Sequence, residues 1–473
     1  MKYKQQIEQF FAEHREQFIE HIRQLVQIRS VEAEKTDSYP FGEGPALALD
    51  KTLEIAQELG LITHNMDYYV GTIDISNDTT KLGILGHVDI VPEGSNWSYP
   101  PFEGVIEDGK MYGRGTSDDK GPVIAATYAL AAVKKLNIPL QYNTRLIVGT
   151  DEESGCEDID YYFAKQSPPP FLFTPDAEFP VINIEKGAIR TSFAGEFEAS
   201  DALPRVIRIR GGHTINVVPP EAEADIEGLS LADIEKAAIA VSEATKIEFS
   251  FNTFDNQIVR IYAKGVGGHA SLPEQANNAL TGLLALVAAL PLAESEGQQV
   301  LQGVASIFPH GDHQAEAAGL AMSDELSGAL TMNLSIMDYD ATNLVAYFDS
   351  RVPLCATVEN TFDVLEKKLQ PFGITLNRTG FEPPHHTPAD STFVQVLLKV
   401  YEEYTGLKGE CIAIGGGTYV HGIPGGVAFG PTMPGIDTRM HSNDEFIIID
   451  DMLKAAQIYA QTIVEICGVD SDL

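Results

Sequence analysis

The stretch LGILGHVDI, residues 82–90, is a short apolar run that stops at a histidine and an aspartate. A run this short, bounded by turn residues, reads as a buried strand rather than a helix. Period-two geometry puts His87 and Asp89 on one face. The carboxylate can then hold the imidazole tautomer while the other ring nitrogen binds a metal. By itself an H-x-D is weak, and a core or surface histidine explains it better.

Working outward, YVGTIDIS precedes this strand, and TRLIVGT, FLFT, CIAI and VAFG follow as further short buried strands. Helical spacing joins Ile7, Phe10, Phe11, Phe18, Ile22, Leu25 and Val26 into one amphipathic helix. A second helix, ALALDKTLEIAQEL, stops at Gly60, a third is VIAATYALAAVKKL, and Asp108-Gly109 marks a hairpin. Strands alternating with helices predict an α/β layer with a mainly parallel sheet. Between about Ile189 and Gly380 the texture changes. RVIRIRG, TINVVP, QIVRIYAKG and TMNLSIMDY alternate as half-buried strands do, separated by helices such as NNALTGLLALVAAL and VLEKKL. That segment predicts an α+β insertion with one sheet face open to water. The expected division is 1–188 and 381–473 for a discontinuous first domain, with 189–380 inserted.

The chain of 473 residues is too long for one compact core. Its net charge of -36, without a basic stripe, excludes a nucleic-acid partner and suits a well-solvated surface. The four cysteines, Cys156, Cys355, Cys411 and Cys467, form no C-x-x-C, so neither a zinc ribbon nor a thioredoxin-like motif is available. No run reaches the roughly 18 apolar residues of a membrane span, and the polar N-terminus has no apolar signal core. A reducing cytoplasm is expected, with the protein a monomer or small homo-oligomer.

Four more segments carry chemistry. GRGTSDDKG, residues 113–121, puts Asp118 and Asp119 at a helix N-terminus, where anions are favoured, although an acidic first turn explains them equally well. TRLIVGT runs into Asp151-Glu152-Glu153, whose adjacent glutamates point different ways, one for a metal and one for a proton. FLFT runs into Pro175-Asp176, and Asp437-Thr438-Arg439-Met440-His441 returns a histidine near the end of the chain. Together His, Asp, Glu, Asp and His stand beyond strand C-termini, where open α/β sheets bind ligands. Mixed imidazole and carboxylate donors suit zinc, manganese or cobalt. A carboxylate bridging two ions about 3.5–4 Å apart is how two-metal hydrolases generate a hydroxide.

GHVDIVP, GRGTSDDKGP, GTDEESGCEDI, TPDAEFP, GGHTINVVP, GVGGHASLPEQANNA and GGGTYVHG occur in order across almost the whole chain. This set resembles the bacterial dipeptidases of the PepV type, Xaa-His dipeptidase or carnosinase-like, in the co-catalytic metallopeptidase clan of aminoacylases and carboxypeptidases. The resemblance implies a two-metal exopeptidase-like catalytic domain with an inserted lid domain, hydrolysing dipeptides with a free N-terminus. By position it implies His87, Asp118, Glu153, Asp176 and His441 as ligands of two divalent ions, zinc first, with Asp118 bridging. Glu152 takes the general-base role with a metal-bridging hydroxide, and Asp89 orients His87. In the lid the resemblance implies His269 for the oxyanion and Asn216 and Arg351 for the substrate carboxylate. A helix-flanking histidine, a loop turn and a surface charge are the plainer readings of those three. It also implies a cis peptide between Asp118 and Asp119.

One departure stands out: relatives read TYAR after the triple glycine, whereas this chain reads Thr418-Tyr419-Val420-His421. The triple glycine is no dinucleotide fingerprint either, because Val420 occupies the third glycine's place. An N-acyl-amino-acid deacylase of the same clan is the alternative enzyme. A catalytically dead metal- or peptide-binding protein is the alternative of another class, and Glu152 argues against it, since binding alone needs no base.

Overall fold

The computed structural model describes residues 1–254 and 258–471. Residues 255–257 of the inserted segment and the last two of the expected 381–473 segment lie outside the described residues. The chain divides into two compact units. Met1–Ile184, His386–Ile412 and Gly417–Leu473 form the first, and Glu185–His385 with Ala413–Gly416 form the second. The strand Gly187–Glu196 pairs along its whole length with Asn343–Val352, so the second sheet begins at Gly187, ahead of the expected 188/189 break. The second break falls after His385 rather than after Gly380.

The first unit has an α/β architecture around a mixed sheet. Its strands run in the order Ile62–Met66, Val70–Asp74, Asn143–Gly149, Thr80–His87, Phe171–Thr174, Val427–Ala428 and Val181–Glu185. The middle four are mutually parallel. On one side the sheet turns antiparallel through Ile62–Met66 and Val70–Asp74, a tight hairpin with Asp67 and Tyr68 at positive φ. On the other side Val181–Glu185 is antiparallel to its neighbour. The expected parallel sheet is therefore its centre, because only the central strands are joined by long crossovers. The helix Lys120–Lys135 is buried on nearly every side, as its continuous apolar sequence requires, and packs against Ile449–Cys467. Phe173, Phe179, Phe429 and Tyr459 fill the core between helix and sheet.

The opening helix is two helices, Lys4–Glu13 and Arg15–Val26. His14 leaves helical geometry (φ -105, ψ 11) and turns its ring back, with Nδ1 2.8 Å from the Phe10 carbonyl oxygen that its own N–H also reaches. The apolar periodicity continues across that break because both helices bury the same face. Asp108 and Gly109, both at positive φ, join Val105–Glu107 to Lys110–Tyr112 as a hairpin.

The second unit is an antiparallel sheet with helices packed on it. Its strand order is Glu248–Phe254, Ile258–Lys264, Glu221–Glu227, Arg205–Gly211, Thr331–Tyr339, Asn343–Val352, Gly187–Glu196 and Ile374–Leu376. TINVVP is not one of its strands. Only Val217–Val218 is extended, and it pairs with Gly268–His269. No described helix is long and apolar enough to cross a membrane.

Candidate metal centre

Because the central strands of the first unit are parallel, their C-terminal ends share one edge. His87 closes one strand, Glu152 and Glu153 follow the second, and Asp176 follows the third, its N–H held by Thr174 Oγ1 at 3.3 Å. Asp118 stands just before the helix Lys120–Lys135 and is joined to Asp119 by a cis peptide. His441, at φ 59, comes from the loop ahead of the strand Phe446–Ile448.

The side chains converge as two groups of three, each with donor atoms within 4.8 Å of one another: His87, Glu152 and Asp176, and Asp118, Glu153 and His441. Asp118 faces both. Its Oδ1 lies 3.0 Å from His87 Nε2, and its Oδ2 lies 2.8 Å from His441 Nε2. Glu153 comes within 3.2 Å of His441 Nε2, and Asp176 within 3.6 Å of His87 Nε2. The neighbouring glutamates thus go to opposite groups.

Asp89 organises the near side. One carboxylate oxygen is 3.3 Å from His87 Nδ1 and accepts the Glu152 N–H, while the other accepts the Glu153 N–H. It therefore orients the imidazole and the glutamate loop together. Asp119 does the equivalent for the strand end, accepting the His87 N–H at 3.0 Å. A Cβ at Gly86 would strike that carboxylate, so only glycine fits there.

The chemistry of the donor set fits a pair of cations. His87 Nε2 and Asp118 Oδ1 are buried and, despite their proximity, neither has a hydrogen-bond partner among the described residues. Burial pushes Glu152 well above the usual carboxylate range, pushes Glu153 up to about 7, and raises Asp176. Burial opposes the charged form of His441 too, but hydrogen bonds to Asp118 and Glu153 prevail and push it up to about 11. For Asp118 the attraction of the His441 and His87 imidazoles outweighs burial and holds it below the usual range. Four carboxylates packed around two imidazoles are costly to ionise without added positive charge. Divalent cations held by these residues would relieve that cost, and mixed oxygen and nitrogen donors suit zinc, manganese or cobalt.

The remaining candidates lie in the second unit. Asn216 and His269 are brought together: the Asn216 carbonyl accepts the Ala270 N–H, and Val217 pairs with His269. Arg351 is buried, which removes the surface-charge reading. Its guanidinium forks onto Asp349 at 2.7 and 2.9 Å and reaches the Gly415 carbonyl at 2.7 Å. Ser271, Thr331 and Gly415 line a cavity of about 980 Å³ in this unit together with Lys186, Glu274 and His313.

Several residues at the centre escaped the sequence reading. Asp158, Tyr419, Arg114 and Glu445 are buried polar groups that hold the loops carrying Glu152, Glu153, Asp118 and His441. Tyr419 and Glu445 sit inside or beside the quoted motifs, but their partners lie hundreds of residues away.

The profile of peptidase family M20/M25/M40 matches residues 83–465. The chain belongs to this family. It is a metallopeptidase, of a class acting on peptides. It is 35% identical over 460 residues to the Bacillus subtilis (strain 168) protein named "Putative dipeptidase YtjP", covering 96% of this chain and 97% of that one. It is 33% identical over 450 residues to the Beta-Ala-Xaa dipeptidase of Lactobacillus delbrueckii subsp. lactis, covering 94% and 95%. Human carnosine dipeptidase 1 shares the fold, with a TM-score of 0.61 at 15% identity over 98% of this chain and 99% of that one.

Proposed function

We propose that this metallopeptidase is a cytoplasmic dipeptidase that takes dipeptides with a free N-terminus. The observation that carries the reading is the Asp118 carboxylate, turned with one oxygen to His87 and the other to His441. In this reading His87 and Asp176 hold one divalent ion, Glu153 and His441 hold the other, and Asp118 is shared. Zinc is the first choice, with manganese and cobalt as alternatives. When bound, such ions supply Lewis acidity that acidifies water and polarises the scissile carbonyl.

The chain's own residues do the rest. Glu152 takes a proton from the attacking water at its carboxylate and delivers it to the departing amide nitrogen. The new C–O bond forms first, giving an oxyanion, and the C–N bond breaks as the C=O re-forms and the protonated amine leaves. A carboxylate pushed upward by burial is suited to receive that proton. His269 steadies the developing oxyanion. Its ring is held in place by Ser271, whose N–H donates to Nδ1 at 3.1 Å and whose Oγ lies 2.6 Å from the same nitrogen. Arg351 and Asn216 hold the substrate carboxylate, Arg351 through donors beyond those given to Asp349 and Gly415.

The experiment is a hydrolysis panel of free dipeptides, N-acylated amino acids and tetrapeptides, run before and after chelation and after refilling with each metal. Turnover of free dipeptides that stops on chelation and returns with metal supports the reading. A preference for acylated amino acids moves the chain to the deacylase alternative.

A further inference from the structure

The segment that brings His441 to the centre is strained. Arg439, His441 and Asp444 all have positive φ, a region that side chains other than glycine seldom occupy. Such a conformation persists only where neighbours over-determine it, and here the neighbour is the loop that carries Asp118. Glu445 is fully buried, and both its carboxylate oxygens serve that loop. One accepts the Arg114 guanidinium at 2.5 Å and the Gly115 N–H at 3.1 Å; the other accepts the N–H groups of Ser117 at 2.9 Å and Asp118 at 3.3 Å. In return Arg114 Nη2 donates to the Ser442 carbonyl, and the Gly113 N–H donates to that of Glu445. Ser117 Oγ donates to Thr438 Oγ1 at 3.0 Å. Among these contacts the Asp118 N–H bond adjoins a proposed ligand directly, and Ser442 is the residue after His441.

We infer that the buried Arg114–Glu445 pair is a positioning device that sets the spacing of Asp118 and His441, and with it the affinity of the metal site they share. The inference rests on the two-ion reading above. Neither residue touches the reacting atoms. Their effect passes through the backbone of residues 115–118 and 442–445. The other group, His87, Glu152 and Asp176, is organised by Asp119, Thr174 and Asp89, the last of which also accepts the Glu153 N–H. Disturbing the pair should therefore separate the two ions, which a general loss of stability would not do.

The test is a metal titration of metal-free protein with zinc against a chromophoric chelator, paired with the cobalt absorption spectrum. Wild type is expected to bind two ions. Glu445→Gln keeps the shape but replaces one acceptor oxygen by a donor, and should bind the ion at Glu153 and His441 about 10–100-fold more weakly while weakening the ion at His87 and Asp176, which shares only Asp118, by less. Arg114→Lys, which loses the fork, should move in the same direction. If Glu445→Gln does not fold, Arg114→Lys alone decides by the same readout. Two ions bound at wild-type affinity by the folded variants, or both weakened equally, overturns the inference. Wild type binding fewer than two ions overturns the two-ion reading instead.

Discussion

The Tyr419 hydroxyl donates to the buried Asp158 carboxylate at 2.5 Å, across 261 residues of sequence. The same Asp158 oxygen accepts the N–H groups of Thr150 and Asp151, so the loop that presents Glu152 and Glu153 hangs from it. A Cβ at Gly149 would collide with both partners, which accounts for glycine at that strand end. Tyr419→Phe should lower unfolding stability by about 1–3 kcal/mol, since a buried acceptor loses its donor. It should also reduce kcat more than it raises KM. Urea unfolding and steady-state kinetics measure both, and a variant with wild-type stability and kcat would remove Asp158 from this role.

Glu152 and Glu153 are adjacent yet belong to different groups, so their substitutions should part company. Glu152→Gln should cut kcat by about 10²–10⁴-fold, the span of general-base catalysis, and leave metal content near that of wild type. Glu153→Gln should reduce metal content first. Elemental analysis beside the kinetics checks the pair, and the opposite pattern would exchange the two roles.

His269 should matter to turnover but not to metal. His269→Ala is expected to lower kcat by about 10²–10³-fold, the loss found when one oxyanion donor is removed. Unchanged metal content and an unchanged melting temperature should accompany it. Wild-type kcat in this variant would return His269 to a structural position flanking Ser271.

His21 is buried against Tyr128, with Nδ1 3.0 Å from the hydroxyl and Nε2 3.7 Å from Glu58. Burial lowers its pKa below the ordinary 6.5, with the pull of Glu58 and Glu20 too weak to restore it. The unfolded chain therefore takes up a proton that the folded chain refuses. Stability is intact above pH 6.5 and declines as the pH falls below it. Denaturant unfolding between pH 7.5 and about 5 should show a shallower decline in His21→Asn than in wild type. Parallel curves would mean that His21 contributes nothing to the slope.

The legible part of the sequence was whatever repeats locally. The apolar runs 82–87 and 144–149 announce themselves as strands, and each ends in groups that the fold brings to one sheet edge. His87, Asp118, Glu152, Glu153, Asp176 and His441 were no better than ordinary acidic turns and histidines one by one, and it was the ordered motif set, through its family resemblance, that singled them out. What supports them could not be picked out. Glu445 meets Arg114 331 residues away, and no period or spacing links them. The break at His14 was equally hidden, because apolar spacing records which face is buried, not whether the backbone stays continuous. TINVVP alternates like a strand but finds only a two-residue partner in Gly268–His269.

The strand Val427–Ala428 sits between Phe171–Thr174 and Val181–Glu185 in the first sheet. On a ribosome, both neighbours emerge long before the strand that joins them. Residues 186–426 must be made first, which at about 5–20 residues per second takes tens of seconds. For that time the nascent polypeptide carries a sheet with a gap beside Phe171–Thr174 and unpaired edges on either side, the feature that invites wrong partners. Fragments ending before residue 427 should accordingly be held by chaperones or aggregate, whereas the finished chain closes the gap from within.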